Sequence, residues 1–368
     1  MGQIFLVLFT VVLLIFCGGC ESTGGDGGAS NSTISIMSWN LQALFDGTEH
    51  GGEYDEYRDS TGWSGEKYSA RLNNIAKGIE HLEQGAPDVL ALVEVENAQV
   101  LEDLARTLAK YGYKWTFFAN NPGMSLGVGV LSKFPLISTR SHSFSGKDEM
   151  TPRPVMEVWV QPKDAPLALF ICHWKSKLGG DEATESLRRA SARVILRRLR
   201  EIGREQPGTP ALVMGDLNEN HDEFYRQGGN FLSALIPDDP QAAALTGFTS
   251  DEGAKQRDFL ILSENKPPVS AHFGPEAMAL YSPWYNELAD GSYYYKKAWE
   301  TIDHFLLNEA LFDGTGWDFK DCSVVTVQPF TNSKGFPASY NPRTGMGLSD
   351  HLPLLLMLKM QESTIGAL

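Results

Sequence analysis

The sequence predicts an α+β fold of two packed sheets covered by helices. Short apolar, β-branched segments bounded by Gly, Pro and polar residues recur along the chain, and only three stretches show helical spacing. So many strands with so few helices between them fit two stacked sheets better than a doubly wound parallel sheet, in which strands and helices alternate. The expected strands are Ile34–Ser38, Asp88–Val95, Gly127–Ser132, Val155–Val160, Leu167–Cys172, Ala211–Met214, Phe259–Leu262, Ile302–Leu307, Cys322–Val327 and Leu354–Met357. The expected helices are Lys67–Glu83, Ala98–Tyr111 and Ala183–Arg204. Without an internal repeat or a second Gly/Ser-rich linker, residues 34–360 read as one domain, followed by a tail of residues 361–368.

The N-terminus carries an apolar run from Ile4 to Phe16 that ends in Cys17-Gly18-Gly19-Cys20. That run is shorter than the roughly 20 residues a spanning helix needs and suits a signal-peptide core, residues 1–20. The small residues before Cys20 resemble a bacterial lipoprotein cleavage box, with Cys20 as the lipidated residue and the membrane as a partner through that anchor; an uncleaved anchor and simple secretion are the alternatives. Residues 21–33, rich in Gly, Ser and Thr, read as a flexible tether. Only Cys172 and Cys322 remain beyond it, too few for a disulfide framework and expected as two buried thiols rather than one bridge.

With 42% hydrophobic residues the chain can bury a substantial core. Its 46 acidic against 31 basic residues leave a net charge of −15, which provides no broad basic surface and argues against a nonenzymatic DNA binder.

Polar residues suited to metal and phosphate chemistry recur at the C-terminal ends of the apolar segments. Asn40 follows the first strand, Glu94 ends Leu90–Val93, His173 follows Phe170–Cys172, and Asp216 and Asn218 follow Leu212–Gly215. Asp303 sits within an apolar run, and Asp350 and His351 precede the last strand. Singly, each has an ordinary explanation: Asn40 as a turn former, Glu94 at a helix start, Asp216 as a turn cap. Asp216 and Asn218, two apart on what reads as an extended segment, are expected to share one face.

Together, their order and flanks resemble the endonuclease/exonuclease/phosphatase superfamily over nearly all of residues 34–358. The resemblance rests on Gly215-Asp216-Leu217-Asn218 and Ser349-Asp350-His351-Leu352-Pro353, supported by Met37-Ser38-Trp39-Asn40 and Leu92-Val93-Glu94-Val95. It implies a four-layer α/β/β/α sandwich with the site at one rim. It also implies a divalent-metal-dependent phosphoesterase in which Asn40, Glu94 and Asp350 hold the ion and His173, Asp216, Asn218, Asp303 and His351 are catalytic. Mg²⁺ is the expected cofactor, with Mn²⁺ or Ca²⁺ able to use the same oxygen ligands.

The run His173-Trp174-Lys175-Ser176-Lys177 is similar to the His-bearing strand of the nuclease branch, so a nucleic acid, bound without sequence specificity by a monomer, is the expected substrate. His304 stands where the inositol phosphatases carry Arg. A sphingomyelinase-like phospholipase, another phosphomonoesterase and a catalytically inactive binding module remain as alternatives. Arg153 is a candidate for substrate phosphate, with a salt bridge as its ordinary explanation. Trp299 and Tyr293-Tyr294-Tyr295-Lys296-Lys297 are candidates for stacking bases, with packing as theirs. Arg188, Arg189 and Arg193 read as the solvated face of an amphipathic helix.

Overall fold

A computed structural model describes residues 33–143, 153–163, 165–247, 257–274 and 277–361. The expected signal peptide with Cys20, the tether up to residue 32 and the tail beyond Gln361 lie outside them. Along the chain the strands are β1 (Thr33–Leu44), β2 (Val89–Val95), β3 (Trp115–Ala119), β4 (Gly127–Ser132), β5 (Leu136–His142), β6 (Val155–Val160), β7 (Leu167–His173) and β8 (Ala211–Asp216). They continue with β9 (Leu235–Pro237), β10 (Leu260–Ser263), β11 (Ala279–Tyr281), β12 (Tyr293–Tyr295), β13 (Ala298–Glu300), β14 (Asp303–Leu307), β15 (Trp317–Val324) and β16 (Leu354–Met360). The helices are α1 (Gly65–Glu80), α2 (Ala98–Thr107), α3 (Asp181–Glu205), α4 (Glu223–Arg226) and α5 (Pro240–Thr246).

Two mixed sheets form the centre, ordered β15-β16-β1-β2-β4-β3 and β5-β6-β7-β8-β14-β11-β10-β9, with β12-β13 as a separate hairpin. Helices α1 and α2 cover the first sheet and α3 the second, the sandwich the resemblance implied. Caps start the first two helices: Ser64 Oγ accepts from Lys67 N–H and Asn97 Oδ1 from Val100 N–H. Every expected strand and helix is present within a few residues. The additional strands are short or lie at sheet edges, such as β3 and β5, where one neighbour and partial exposure leave a weak apolar pattern.

Period-two alternation places the core of the second sheet. Leu167, Leu169 and Ile171 of β7, Leu212 and Met214 of β8, and Phe305 and Leu307 of β14 belong to the core shared with the first sheet. Ala168, Phe170, Cys172, Val213 and Leu306 point the other way and pack with Val194, Ile195, Leu199 and Ile202 of α3. Extending the same parity, His173, Asp216 and Asp303 fall on the inter-sheet side, and His304 falls on the helix side. Cys172 and Cys322 are both buried and free.

Candidate active site

Sheet register brings three polar residues into one row. Strand β7 pairs in parallel with β8, matching His173 to Asp216, and β8 pairs antiparallel with β14, matching Asp216 to Asp303. All three are buried. Gly215 is what allows the strands to close here. Its φ of +123° is left-handed, and a Cβ would lie 1.9 Å from the Cys172 carbonyl oxygen, so no other residue fits.

Beyond Asp216 the chain turns rather than extends. Asn218 has φ +53°, its N–H donates to Asp216 Oδ1 at 2.9 Å, and its side-chain amide donates to the Trp174 carbonyl at 3.1 Å. The expected convergence of Asp216 and Asn218 on one face of a strand is therefore replaced by a local turn closed by the aspartate side chain, a preference of Asx residues that overrides the strand period.

The opposite sheet supplies Asn40 and Glu94. Glu94 has φ +63° and sits where the register of β2 shifts against β4, between Val93 and Val95. This bulge re-aims its carboxylate. Asn40 Nδ2 donates to Glu94 Oε1 at 3.3 Å and to Asp216 Oδ2 at 3.1 Å, joining the sheets, and Ala43 N–H donates to Glu94 Oε2 at 2.7 Å. Buried Arg71 of α1 holds the irregular end of β1 through the carbonyls of Leu41, Gln42 and Ala43. His173 Nε2 lies 3.5 Å from Asp216 Oδ2 and 3.7 Å from Glu94 Oε1.

The Ser349-Asp350-His351 segment is locked to β1. Ser349 Oγ donates to the Asn40 carbonyl at 2.6 Å and accepts from His351 N–H at 3.1 Å, and Trp39 Nε1 donates to the His351 carbonyl at 3.0 Å. His351 Nδ1 is 2.8 Å from Asp303 Oδ2, which also accepts from Ser292 Oγ at 2.6 Å. Its Nε2 faces Asp216 Oδ2 at 4.0 Å.

Burial works against a charged imidazole at His351, but Asp303, Asp350 and Asp216 overcome it and push its pKa up to about 10. His173, buried and close to Arg153 and His351, is held well below the usual histidine range and is neutral. Burial, with Asp303 and Glu94 nearby, raises the Asp216 carboxyl against the opposing pull of His351. Burial also raises Asp350, where Glu94 and Asp303 add repulsion.

This crowding of carboxylates fits a divalent cation. Glu94 and Asp350 keep side chains 21% and 33% exposed. Asn40, expected as a ligand, is buried and turns its amide nitrogen to Glu94 and Asp216 and its oxygen to the Gln42 N–H, so it orients the carboxylates instead of offering an oxygen. Hard oxygen ligands without thiolates suit Mg²⁺ or Ca²⁺. Asp216, Asp303 and His351 also present ligand atoms within 4.8 Å of one another, but the Asp303–His351 bond already engages that pair. A second group of this kind, Asp46, His50 and Glu96, lies nearer the surface, and backbone N–H groups occupy oxygens of both its carboxylates.

Of the substrate candidates, Arg153 donates to the Trp174 carbonyl at 2.9 Å and has no carboxylate partner among the described residues, against the salt bridge that was its ordinary explanation. Trp299 packs its ring on Tyr294 at 5.2 Å and Phe336 at 5.8 Å, the packing that was its ordinary explanation. Tyr293, which sequence reasoning grouped with it but did not single out, stacks on His351 with centroids 4.5 Å apart. The expected solvated arginine face of α3 needs correction. Arg188 is fully buried, paired with Glu185 and Glu219, because the loops after β7 and β8 close over it. Arg189 and Arg193 pair with Asp258. His304 is buried on the helix side and bonded to the Glu219 carbonyl at 2.8 Å.

No curated protein matches the chain. Among solved structures, ANGEL2, a 2′,3′-cyclic phosphatase, aligns with TM-score 0.54 and 16% identity over 91% of this chain and 97% of that one. Truncated TDP2 from Caenorhabditis elegans aligns with TM-score 0.51 and 16% identity over 89% and 97%. An endonuclease/exonuclease/phosphatase family protein from Bacteroides thetaiotaomicron aligns with TM-score 0.50 and 15% identity over 90% and 96%. At such identity these likenesses establish the fold. The sequence profile of the endonuclease/exonuclease/phosphatase family matches residues 35–236, more than half of the chain, and includes Asn40, Glu94, His173, Asp216 and Asn218. The chain belongs to the endonuclease/exonuclease/phosphatase family of phosphoric ester hydrolases.

Proposed function

We propose that the protein is an exported nuclease that hydrolyses DNA or RNA phosphodiester bonds with Mg²⁺ as cofactor, Mn²⁺ and Ca²⁺ being able to use the same ligands. The observation that carries this reading is the arrangement of Asp216 between two histidines of opposite charge state: neutral His173 at 3.5 Å, and His351, backed by Asp303, at 4.0 Å.

A phosphodiester resists attack because its anionic oxygens repel a nucleophile and its leaving oxygen departs as an alkoxide. Glu94 and Asp350, with Asn40 orienting Glu94, would hold the divalent cation, which would neutralise charge on the phosphate. Asp216, its affinity for a proton raised by burial, takes the proton of the attacking water as the new P–O bond forms. Asn218, pinned by the Trp174 carbonyl, stands beside that carboxylate and orients the phosphate. As the P–O bond to the leaving oxygen breaks, His351 gives that oxygen the proton on its Nε2, so the alcohol departs neutral, while Asp303 keeps the ring oriented through Nδ1. Arg153, without a carboxylate partner among the described residues, and Lys175, two residues beyond His173, supply positive charge near the histidine; this supports a polyanionic substrate despite the acidic chain.

Export rests on the sequence, through the apolar run Ile4–Phe16 and the Cys20 lipoprotein box. Among the described residues no helix is long and apolar enough to cross a membrane. The test is hydrolysis of plasmid DNA, RNA and sphingomyelin vesicles with Mg²⁺ or EDTA, beside an Asp216→Ala control. Metal-dependent loss of nucleic acid, abolished in the control, is expected. Cleavage of lipid with nucleic acid intact replaces the nuclease by a phospholipase, and no cleavage with any metal favours a binding module.

A further inference from the structure

The motif Tyr293-Tyr294-Tyr295-Lys296-Lys297 stands at the mouth of the site, and the hydrolytic chemistry leaves most of it unused. It forms the β12–β13 hairpin, with Tyr293 opposite Glu300, Tyr294 opposite Trp299 and Tyr295 opposite Ala298, closed by Lys296 and Lys297 alone. Both lysines have left-handed φ, +47° and +69°. A two-residue turn of this hand demands that conformation, and Asn-Gly is its usual occupant. Lysine there is strained, and strain kept beside a catalytic centre points to a use for the side chains.

Alternation along the hairpin separates anchor from contact. Tyr294 packs its ring on Phe336 at 4.2 Å and on Trp299 at 5.2 Å, fixing one side of the hairpin to the protein. Tyr293 and Tyr295 occupy the other side, their rings 17° from parallel and 6.0 Å apart. Tyr293 in turn lies 4.5 Å from the His351 ring, at 22°. Three nearly parallel rings therefore run outward from the catalytic imidazole. The last, Tyr295, is 48% exposed, with Lys296 Nζ 5.0 Å from its centroid.

We propose that this hairpin is a stacking subsite for the unpaired nucleotide next to the scissile phosphate: its base lies on Tyr295, and Lys296 and Lys297 contact the two phosphates beyond. The inference rests on the nuclease reading and narrows its substrate to single-stranded or frayed nucleic acid, because a base inside a duplex has no free face to offer. Any base stacks on a ring, so the subsite selects strand state and not sequence. A protruding aromatic hairpin can also enter a membrane. Here the tip is two ammonium groups, which would be the first atoms driven into hydrocarbon, so the nucleotide is the better occupant.

The test is fluorescence anisotropy of a labelled single-stranded oligonucleotide, and of an abasic sugar-phosphate oligomer of equal length, on the full chain carrying Asp216→Ala with Mg²⁺ present. Tyr295→Ala is expected to weaken Kd for the oligonucleotide about tenfold. Tyr295→Phe, which keeps the ring, restores it, and the abasic oligomer does not distinguish the variants. Lys296→Ala with Lys297→Ala lowers the slope of log Kd against log salt by about 1.4, two phosphate contacts on a single strand.

An unchanged Kd for Tyr295→Ala, an equal loss on the abasic oligomer, no binding by any form, or a loss confined to phosphatidylcholine–phosphatidylglycerol vesicles overturns the subsite. Hydrolysis, followed separately with the unmodified site, distinguishes the two readings. Binding through Tyr295 without cleavage sinks the nuclease and leaves the subsite standing; cleavage with Kd indifferent to Tyr295 does the reverse.

Discussion

Asp303 works through a single oxygen. Oδ2 accepts from Ser292 Oγ and pairs with His351 Nδ1, so one buried carboxylate both orients the imidazole and keeps it charged. With its pKa raised to about 10, His351 is an imidazolium at neutral pH and loses its proton only as the pH rises through that value. A reaction that needs this proton therefore shows an alkaline limb near the same pH. Replacing Asp303 with Asn leaves the shape and removes the charge, and the limb should fall by about two units or more toward the ordinary histidine value near 6.5. The pH profile of kcat/KM measures this; a limb that stays in place would remove the imidazolium from the mechanism. At this scale the sequence is informative about residue type and weak about conformation. Asp, Asn and His at strand ends were visible, and Gly215 before Asp216 carries its own steric reason. The left-handed backbone of Glu94 and Asn218 was not visible, because a bulge and an Asx turn depend on which strand lies alongside.

Helix α3 shows how a pattern misleads one level up. Its arginines repeat like a solvated stripe, yet Arg188 donates to Glu185 and Glu219, to Thr184 Oγ1 and to the carbonyls of Lys175 and Asp181. It thereby ties α3 to the segments that follow His173 and Asn218. Glu219 also accepts from the N–H groups of Ala234 and Leu235, so its carboxylate is shared between the helix and a further stretch of backbone. Removing the cation strands two buried acids, and Arg188→Ala should cost about 3–5 kcal/mol. Arg189→Ala and Arg193→Ala break more exposed pairs with Asp258 and should cost under about 1 kcal/mol each. Urea denaturation of the three variants checks the difference; equal midpoints would return Arg188 to the surface. Periodicity located the helix but could not distinguish a charged residue facing water from one facing a loop that closes over it.

At the scale of the molecule, the excess of negative charge and the proposed nucleic-acid substrate are reconciled by position. Arg153 and Lys175 lie close to His173, Lys296 lies beside Tyr295 on the hairpin stacked against His351, and several acidic groups of the site itself are suited to a cation rather than to repelling substrate. The N-terminus predicts where such an enzyme works. If Cys20 carries the lipid anchor, Cys20→Ala should move the protein from the membrane fraction to the soluble one after cell fractionation, with hydrolytic activity retained. An unchanged distribution would exclude lipidation as the tether.

The sequence by itself determined the two-sheet architecture, the family and the kinds of side chain at the site, because hydrophobic periodicity and short motifs are local properties of the chain. Tertiary structure alone decided which of those side chains meet. The β7-β8-β14 register sets His173, Asp216 and Asp303 in a row, Asn40 bridges the two sheets, and the β12–β13 hairpin brings Tyr293 onto His351. Strand register and sheet packing pair residues far apart in the chain, and no local pattern encodes the partner a strand will find.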